Sequence, residues 1–232
     1  MNNTLLVNLL LAHVIGDFYL QSDKLCKQKE EKKLKSYFLY VHSAIMGVLS
    51  LLFVPDSSFI PSAIFITVTH FIFDAAKSYF GRGLLGFTID QLLHIGVLVL
   101  VAATINVNTT MPLEYLDQFN AFSFPLTLLA VLICMKPSNI IIKLTLERYK
   151  VGESESCSTM KSAGSLIGNL ERMLTIVFVL IGHYEAIGFI VAAKSLLRFK
   201  DTDTAKTEYV LAGTFLSFGI AILCGLMAGM KG

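Results

Sequence analysis

Long apolar stretches, separated by short polar segments, follow one another along the whole chain. Eight of them stand out, near residues 3–21, 36–54, 58–79, 86–106, 121–136, 164–182, 184–199 and 207–229. A helix needs about 20 residues to cross the hydrocarbon core of a bilayer. The pattern therefore predicts an all-α, polytopic transmembrane helical bundle of about eight spans. The count falls to six or seven if the two short stretches, 121–136 and 184–199, are re-entrant.

One segment departs from this pattern, directly after the fifth stretch. Pro137 is followed by apolar residues on one side of a helix and by Lys143 and Glu147 on another. Proline at a helix start and an amphipathic pattern predict an interfacial helix over about 137–150. We expect one integral membrane domain over 1–232, with residues 1–106 as a first half and 107–232 as a second.

Charged residues are sparse and unevenly placed. They make up 16% of the 232 residues, against about 25% in soluble domains, which excludes an ordinary soluble globule. The net charge of +2 provides no basic groove, so we expect no nucleic-acid partner. Six lysines fall in 22–35, whereas the connections 55–57 and 107–120 hold no lysine or arginine. Lysine and arginine favour cytoplasmic loops, which predicts that both termini lie outside.

Ionisable residues also occur within the apolar stretches, at a regular spacing. The first, third and fourth stretches each hold one histidine and one aspartate four residues apart, on one helix face. Their order reverses in the fourth stretch, where the chain runs in the opposite direction, so all three pairs fall at matched depth. The second stretch adds one histidine. The resulting set near the cytoplasmic boundary is His13, Asp17, His42, His70, Asp74, Asp90 and His94.

These seven residues are costly inside a membrane, at about 2.5–3.5 kcal/mol each on insertion scales. Imidazole and carboxylate groups are ligands for divalent metals, so the sequence predicts a metal site with zinc as first candidate and manganese or iron as alternatives. Asp17, Asp74 and Asp90 are then also candidate catalytic residues. The alternative is that each His–Asp pair is an intrahelical ion pair that only packs helices.

Cationic side chains at the same predicted depth suggest an anion site. We expect Arg172, Lys194 and Lys77 to bind an anionic substrate beside the metal. The alternative for Arg172 and Lys194 is pairing with Glu171 and Glu208, or extension to lipid headgroups. For Lys77 the alternative is an anchor at the cytoplasmic interface.

Three short motifs resemble a known family. They are Ala12-His13-x2-Gly16-Asp17-Phe18-x-Leu20-Gln21, His70-x3-Asp74-x2-Lys77 and Asp90-Gln91-x2-His94, within residues 5–105. They resemble the bacterial membrane family catalogued as domain of unknown function 3307. The resemblance implies a multi-pass protein of the bacterial cytoplasmic (inner) membrane. The intramembrane histidines and aspartates are also similar in kind to those of membrane-bound metal-dependent hydrolases, an analogy of residue types.

Three functions fit these observations. The first is metal-dependent hydrolysis of a lipid or phosphoester at a cytoplasm-facing site, with membrane lipid and a small anionic or lipid substrate as partners. The second is transport of a metal ion or a proton-coupled solute, and the third is a non-catalytic membrane scaffold. The sequence leaves a homo-oligomer open.

Overall fold

The computed structural model describes residues 2–80, 83–107, 123–151, 158–198 and 204–229, and these are helical with no strand. All eight apolar stretches contain helices, as predicted. The described residues hold four helices long and apolar enough to cross a membrane, which indicates a membrane protein. They are Ser57–Tyr79, Leu84–Thr104, Phe124–Arg148 and Thr207–Gly229; Asn3–Tyr19 and Tyr37–Phe53 are apolar but shorter. Most of the predicted 107–120 connection lies outside the described residues.

The chain divides into two compact units, within residues 1–125 and 126–231. The first contains α1 (Asn3–Val14), which continues as a π-helical turn (Ile15–Tyr19), then α2 (Asp23–Lys32), α3 (Tyr37–Phe53), α4 (Ile60–Phe80) and α5 (Leu84–Thr104). The second contains α6 (Phe124–Cys134), α7 (Lys136–Arg148), α8 (Ser158–Leu180), α9 (Tyr184–Arg198) and α10 (Thr204–Gly229). One integral membrane domain over 1–232, with halves at 1–106 and 107–232, stays a prediction.

In the first unit, α1, α3, α4 and α5 form a four-helix bundle. Helices α1 and α4 each pack against both α3 and α5. Helices α3 and α4 approach closely at Gly47, where an added Cβ would lie 2.1 Å from Thr67 Oγ1. At one end of the bundle the apolar core includes Leu5, Phe59 and Val101. The polar residues of the same helices therefore gather at the other end.

Local capping explains where several helices begin. Asn2 precedes α1, and its side-chain oxygen accepts a hydrogen bond from the Leu5 N–H. The side-chain Nδ2 of Asn2 donates to the Val107 carbonyl. Asp56 accepts the Ser58 N–H before α4. These contacts satisfy amide groups that have no partner within the helix.

The polar segment at 22–35 differs from the expected loop. Residues Asp23–Lys32 form α2, and Lys33–Lys35 form a 3₁₀ turn that leads to Ser36. Helix α2 packs against α3 and α4. The lysine-rich segment therefore belongs to the folded unit, at the polar end of the bundle.

In the second unit, α8 and α10 pack together over a long contact, and α6 joins them through a core that includes Ala130, Ile176 and Ala221. The expected helix after Pro137 is present as α7, with Pro137 in its first turn. Helices α6 and α7 together form one candidate membrane span, Phe124–Arg148. The interfacial position of α7 stays a prediction.

Candidate metal centre

The polar end of the first bundle brings together every histidine and aspartate of the predicted metal set. Each bundle helix contributes at least one residue, and all seven side chains are 10% exposed or less. The apolar core of the same four helices lies toward the opposite end of the bundle. The residues that converge are His13, Asp17, His42, His70, Asp74, Asp90 and His94.

Three ligand-type atoms form a compact triangle at the centre of this cluster. Asp17 Oδ1 lies 3.1 Å from His42 Nε2 and 3.3 Å from His70 Nε2. The two imidazole nitrogens are 3.1 Å apart. Asp74 Oδ2 lies next to the triangle, 3.7 Å from His42 Nε2. Two helices, α3 and α4, and the π-helical turn thus bring four potential ligand atoms close together.

Hydrogen bonds alone do not satisfy this triangle. Each Nε2 carries at most one hydrogen, so two imidazoles and one carboxylate oxygen form at most two hydrogen bonds, and the third contact is between lone pairs or between N–H groups. A tetrahedral ion with bonds of about 2.0–2.1 Å separates its ligand atoms by about 3.3 Å. The side lengths therefore fit three ligands around one cation.

The π-helical turn at Ile15–Tyr19 positions Asp17. The Leu20 N–H donates to the Ile15 carbonyl, the five-residue spacing of a π turn, a feature that often marks functional sites. Gly16 lies against α3, where an added Cβ would be 2.1 Å from Met46 Sδ. A larger residue at position 16 would therefore require the flexible Met46 side chain to move.

A second group of polar atoms lies on the α5 side of the cluster. The His94 Nδ1 is 2.8 Å from the Asp90 carbonyl oxygen, and the His94 ring lies 4.2 Å from the His70 ring, centroid to centroid. Gln91 joins the two sides, since its amide donates to Asp17 Oδ2 and its carbonyl oxygen is 3.2 Å from His13 Nε2. Two buried atoms here have no hydrogen-bond partner in the described part of the chain: Asp90 Oδ1 and His94 Nε2.

Two lysines neutralise the carboxylates that lie outside the triangle. Lys29 of α2 is buried, and its Nζ donates to Asp74 Oδ2 at 2.5 Å. Lys77 donates to Asp90 Oδ2 at 2.6 Å, with 39% of its side chain exposed. Lys77 thus lies beside the cluster with an anionic partner, and its role in binding an anionic substrate stays a prediction.

Cavity space near the cluster is small. A cavity of about 10 Å³ lies between the rings of His13, His70 and His94 and apolar side chains that include Leu9 and Met46. That is the size of about one water molecule's probe sphere. The cavity therefore has room for one water-sized molecule, on the apolar side of the three rings.

The two cations of the second unit have local partners. Arg172 is buried and donates to the Cys134 carbonyl, to Ser217 Oγ at 2.8 Å and to the side-chain oxygens of Asn139 and Asn169. Lys194 donates to Glu171 at 2.7 Å, which is the pairing weighed as the alternative to anion binding. The anion-binding role of Arg172 and Lys194 stays a prediction.

Sequence reasoning missed two residues of the cluster. Lys29 is one of six lysines at 22–35, and nothing in the sequence distinguishes it from the others as the partner of an acid. Gln91 stands inside the Asp90-Gln91-x2-His94 motif and contacts three of the predicted residues. The signal available in the sequence for Gln91 was its position one residue after Asp90, within that motif.

Comparison with known proteins gives one match. The family model described as "Protein of unknown function (DUF3307)" matches residues 5–123, which is about half of the chain and includes all seven residues of the cluster. No curated protein and no solved structure matches. The chain belongs to the DUF3307 family of proteins of unknown function.

Proposed function

We propose that this protein is a membrane-embedded, metal-dependent hydrolase that acts on an anionic lipid or phosphoester. The observation that carries the proposal is the triangle of Asp17 Oδ1, His42 Nε2 and His70 Nε2, whose sides of 3.1–3.3 Å suit one divalent cation. Zinc is the preferred ion because imidazole and carboxylate ligands in a tetrahedral arrangement favour it. Asp74 Oδ2 would supply a fourth ligand atom.

The charge of the cluster favours an anionic substrate. With neutral imidazoles, the three carboxylates and the two ammonium groups of Lys29 and Lys77 leave one net negative charge. One divalent ion reverses that sign, so the loaded site attracts a phosphate or carboxylate group. Lys77 is the candidate contact for such a group, because it is partly exposed and already reaches the cluster.

The chemistry follows from these groups. A bound divalent ion polarises a phosphoryl oxygen and acidifies water. Water adds to phosphorus, the bond from phosphorus to the ester oxygen breaks, and the proton lost by water passes through a cluster carboxylate to the leaving oxygen. Asp17, Asp74 and Asp90 are the carboxylates available for that transfer, each within or next to the triangle.

The location of the site supports a cytoplasmic opening in the inner membrane of a bacterium. Helix α2 carries the lysine-rich segment, and its Lys29 contacts Asp74 at the polar end of the bundle. Since lysine-rich segments favour the cytoplasm, the site would open to the inner leaflet or the cytosol. About eight spans with both termini outside is the topology that we propose with it.

Zinc content and phosphoester turnover of the purified chain in detergent test this function. After removal of metal by chelation and reloading with zinc, we expect at least one zinc per chain by elemental analysis. We also expect hydrolysis of bis(p-nitrophenyl) phosphate without any ion gradient. His42→Ala should remove one zinc and lower turnover by more than about 100-fold, beyond the loss typical of a residue that only orients a ligand.

The matched control is His183→Ala, because His183 is an exposed histidine outside the cluster. It should keep the zinc content and the turnover of the wild type. Absence of zinc under every loading condition would refute the metal site. Zinc binding without turnover of any phosphoester or carboxyl ester would refute the hydrolase. It would favour the alternative that the site binds a metal ion for transport.

A further inference from the structure

We infer that Asp74, Asp90 and His94 form a second divalent-cation site, so that the centre is binuclear with Asp74 shared between the two ions. This inference rests on the proposed function, because it extends the same centre. Asp74, Asp90 and His94 each offer one ligand atom, and these atoms lie within 4.8 Å of one another. All three residues are buried, at 6%, 4% and 3% exposed.

Unsatisfied atoms point to a missing partner at this position. Asp90 Oδ1 is buried without a hydrogen-bond partner in the described part of the chain, and so is His94 Nε2. Asp90 Oδ1 lies 3.6 Å from His94 Nδ1, too far for a hydrogen bond of normal length. A buried carboxylate oxygen without a partner carries a large desolvation cost. A cation held by Asp90 and His94 removes that cost.

The two sites share Asp74 and otherwise use separate ligands. The first takes Asp17, His42 and His70, which form the triangle, and the second takes Asp90 and His94 on α5. Asp74 faces both, since its Oδ2 is 3.7 Å from His42 Nε2 and the residue also belongs to the α5 group. A shared carboxylate is the usual way to hold two ions about 3.5–4 Å apart, an arrangement that stabilises both the attacking and the leaving oxygen of a phosphoester.

In the proposed binuclear centre, the second ion displaces the Lys77 ammonium from the Asp90 carboxylate. Its ammonium is 2.6 Å from Asp90 Oδ2, so it neutralises a proposed ligand in the metal-free protein. With 39% of its side chain exposed, it can turn to solvent or to a substrate at little cost. Lys29 stands in the same relation to Asp74 but is buried, so its displacement costs more.

The test counts manganese ions in the full-length protein in detergent, after chelation and reloading with Mn²⁺. We expect two manganese ions per chain by elemental analysis, and an electron paramagnetic resonance spectrum of an exchange-coupled pair. Asp90→Asn should bind one ion and show the spectrum of isolated Mn²⁺. His94→Gln is the second variant and should behave in the same way.

The matched control is Asp56→Asn, which makes the same chemical change before α4, whose first residue, Ile60, lies about 21 Å along the helix from Asp74. It should keep two ions and the coupled spectrum. One uncoupled ion in the wild type, unchanged in Asp90→Asn, would overturn the second site while the proposed function stands. No bound ion in the wild type after reloading with either Mn²⁺ or Zn²⁺ would overturn both. The wild-type count decides the question even where a variant does not fold.

Discussion

At the scale of single residues, Lys29 is a buried cation in direct contact with the cluster. Its ammonium contacts the Asp74 carboxylate at 2.5 Å and the Gln21 side-chain oxygen at 3.0 Å. The contact joins α2 to α4 and neutralises an acid beside the triangle. A metal ion at the triangle would compete with Lys29 for Asp74.

We therefore predict that Lys29→Met destabilises the metal-free protein and increases its response to zinc. Loss of one partner leaves the Asp74 carboxylate buried and uncompensated, which typically costs about 3–5 kcal/mol. Zinc then supplies the missing positive charge. The melting temperature in detergent should fall in chelator and rise on zinc addition by more than that of the wild type.

Lys24→Met is the matched control, since Lys24 is on the same helix and exposed. Its melting temperature should follow the wild type with and without zinc. Equal behaviour of the two variants would show that the Lys29–Asp74 contact has no energetic role.

The sequence predicted which histidines and aspartates share the site, because a spacing of four residues sets one helix face. That rule does not reach Lys29. Its contact with Asp74 spans 45 residues and depends on the angle at which α2 meets α4. Gln91 was not predicted for a different reason. Its side chain is neutral, so its presence in an apolar helix does not require a charged partner.

At the scale of helices, the position of α3 against α4 sets the geometry of the triangle. Gly47 lies five residues after His42, and an added Cβ there would be 2.1 Å from Thr67 Oγ1. Thr67 cannot easily move, because it is branched at Cβ and its hydroxyl donates to the Ala63 carbonyl at 2.8 Å. The two helices therefore approach closely only with glycine at position 47.

We predict that Gly47→Ala separates α3 from α4 and destabilises the protein by about 1–3 kcal/mol, the usual cost of overpacking. His42 should move with α3, so zinc affinity should fall as well. Thermal unfolding in detergent and a zinc titration measure the two effects. Gly96→Ala is the matched control, because Gly96 is also within a helix but has nothing within 4 Å of an added Cβ.

Gly96→Ala should be neutral or stabilising, by up to about 1 kcal/mol from helix propensity. A Gly47→Ala protein as stable as Gly96→Ala would contradict the close-packing account.

The helices themselves were largely predictable, for a physical reason. Long apolar stretches in lipid satisfy their backbone groups only as helices, and Pro137 marks the break before α7. Helix α2 was not predictable, because Asp23–Lys32 is polar on all sides and its packing onto α3 and α4 depends on tertiary contacts. The π-helical turn at Ile15–Tyr19 likewise has no apolar signature.

At the scale of the whole molecule, orientation decides which compartment meets the site. The polar end of the bundle is tied to the lysine-rich α2 by the Lys29–Asp74 contact, and Lys33 lies over the Tyr79 ring at 4.5 Å. The connection between α3 and α4 holds Asp56 and no lysine or arginine. It lies at the opposite end of α3 from His42, as the helix bounds require. The two ends of the bundle therefore differ in charge.

We predict that the α2 end faces the cytoplasm. In a background expressed in bacteria in which all four native cysteines are replaced by alanine, Ser58→Cys should react with a membrane-impermeant maleimide added to intact cells. Lys24→Cys should react only after the cells are permeabilised, because lysine-rich segments favour the cytoplasm. Both positions are exposed in the folded unit, so accessibility to the reagent depends on the side of the membrane. Labelling of Lys24→Cys but not of Ser58→Cys in intact cells would place the metal centre on the outer side, where a cytosolic substrate cannot reach it.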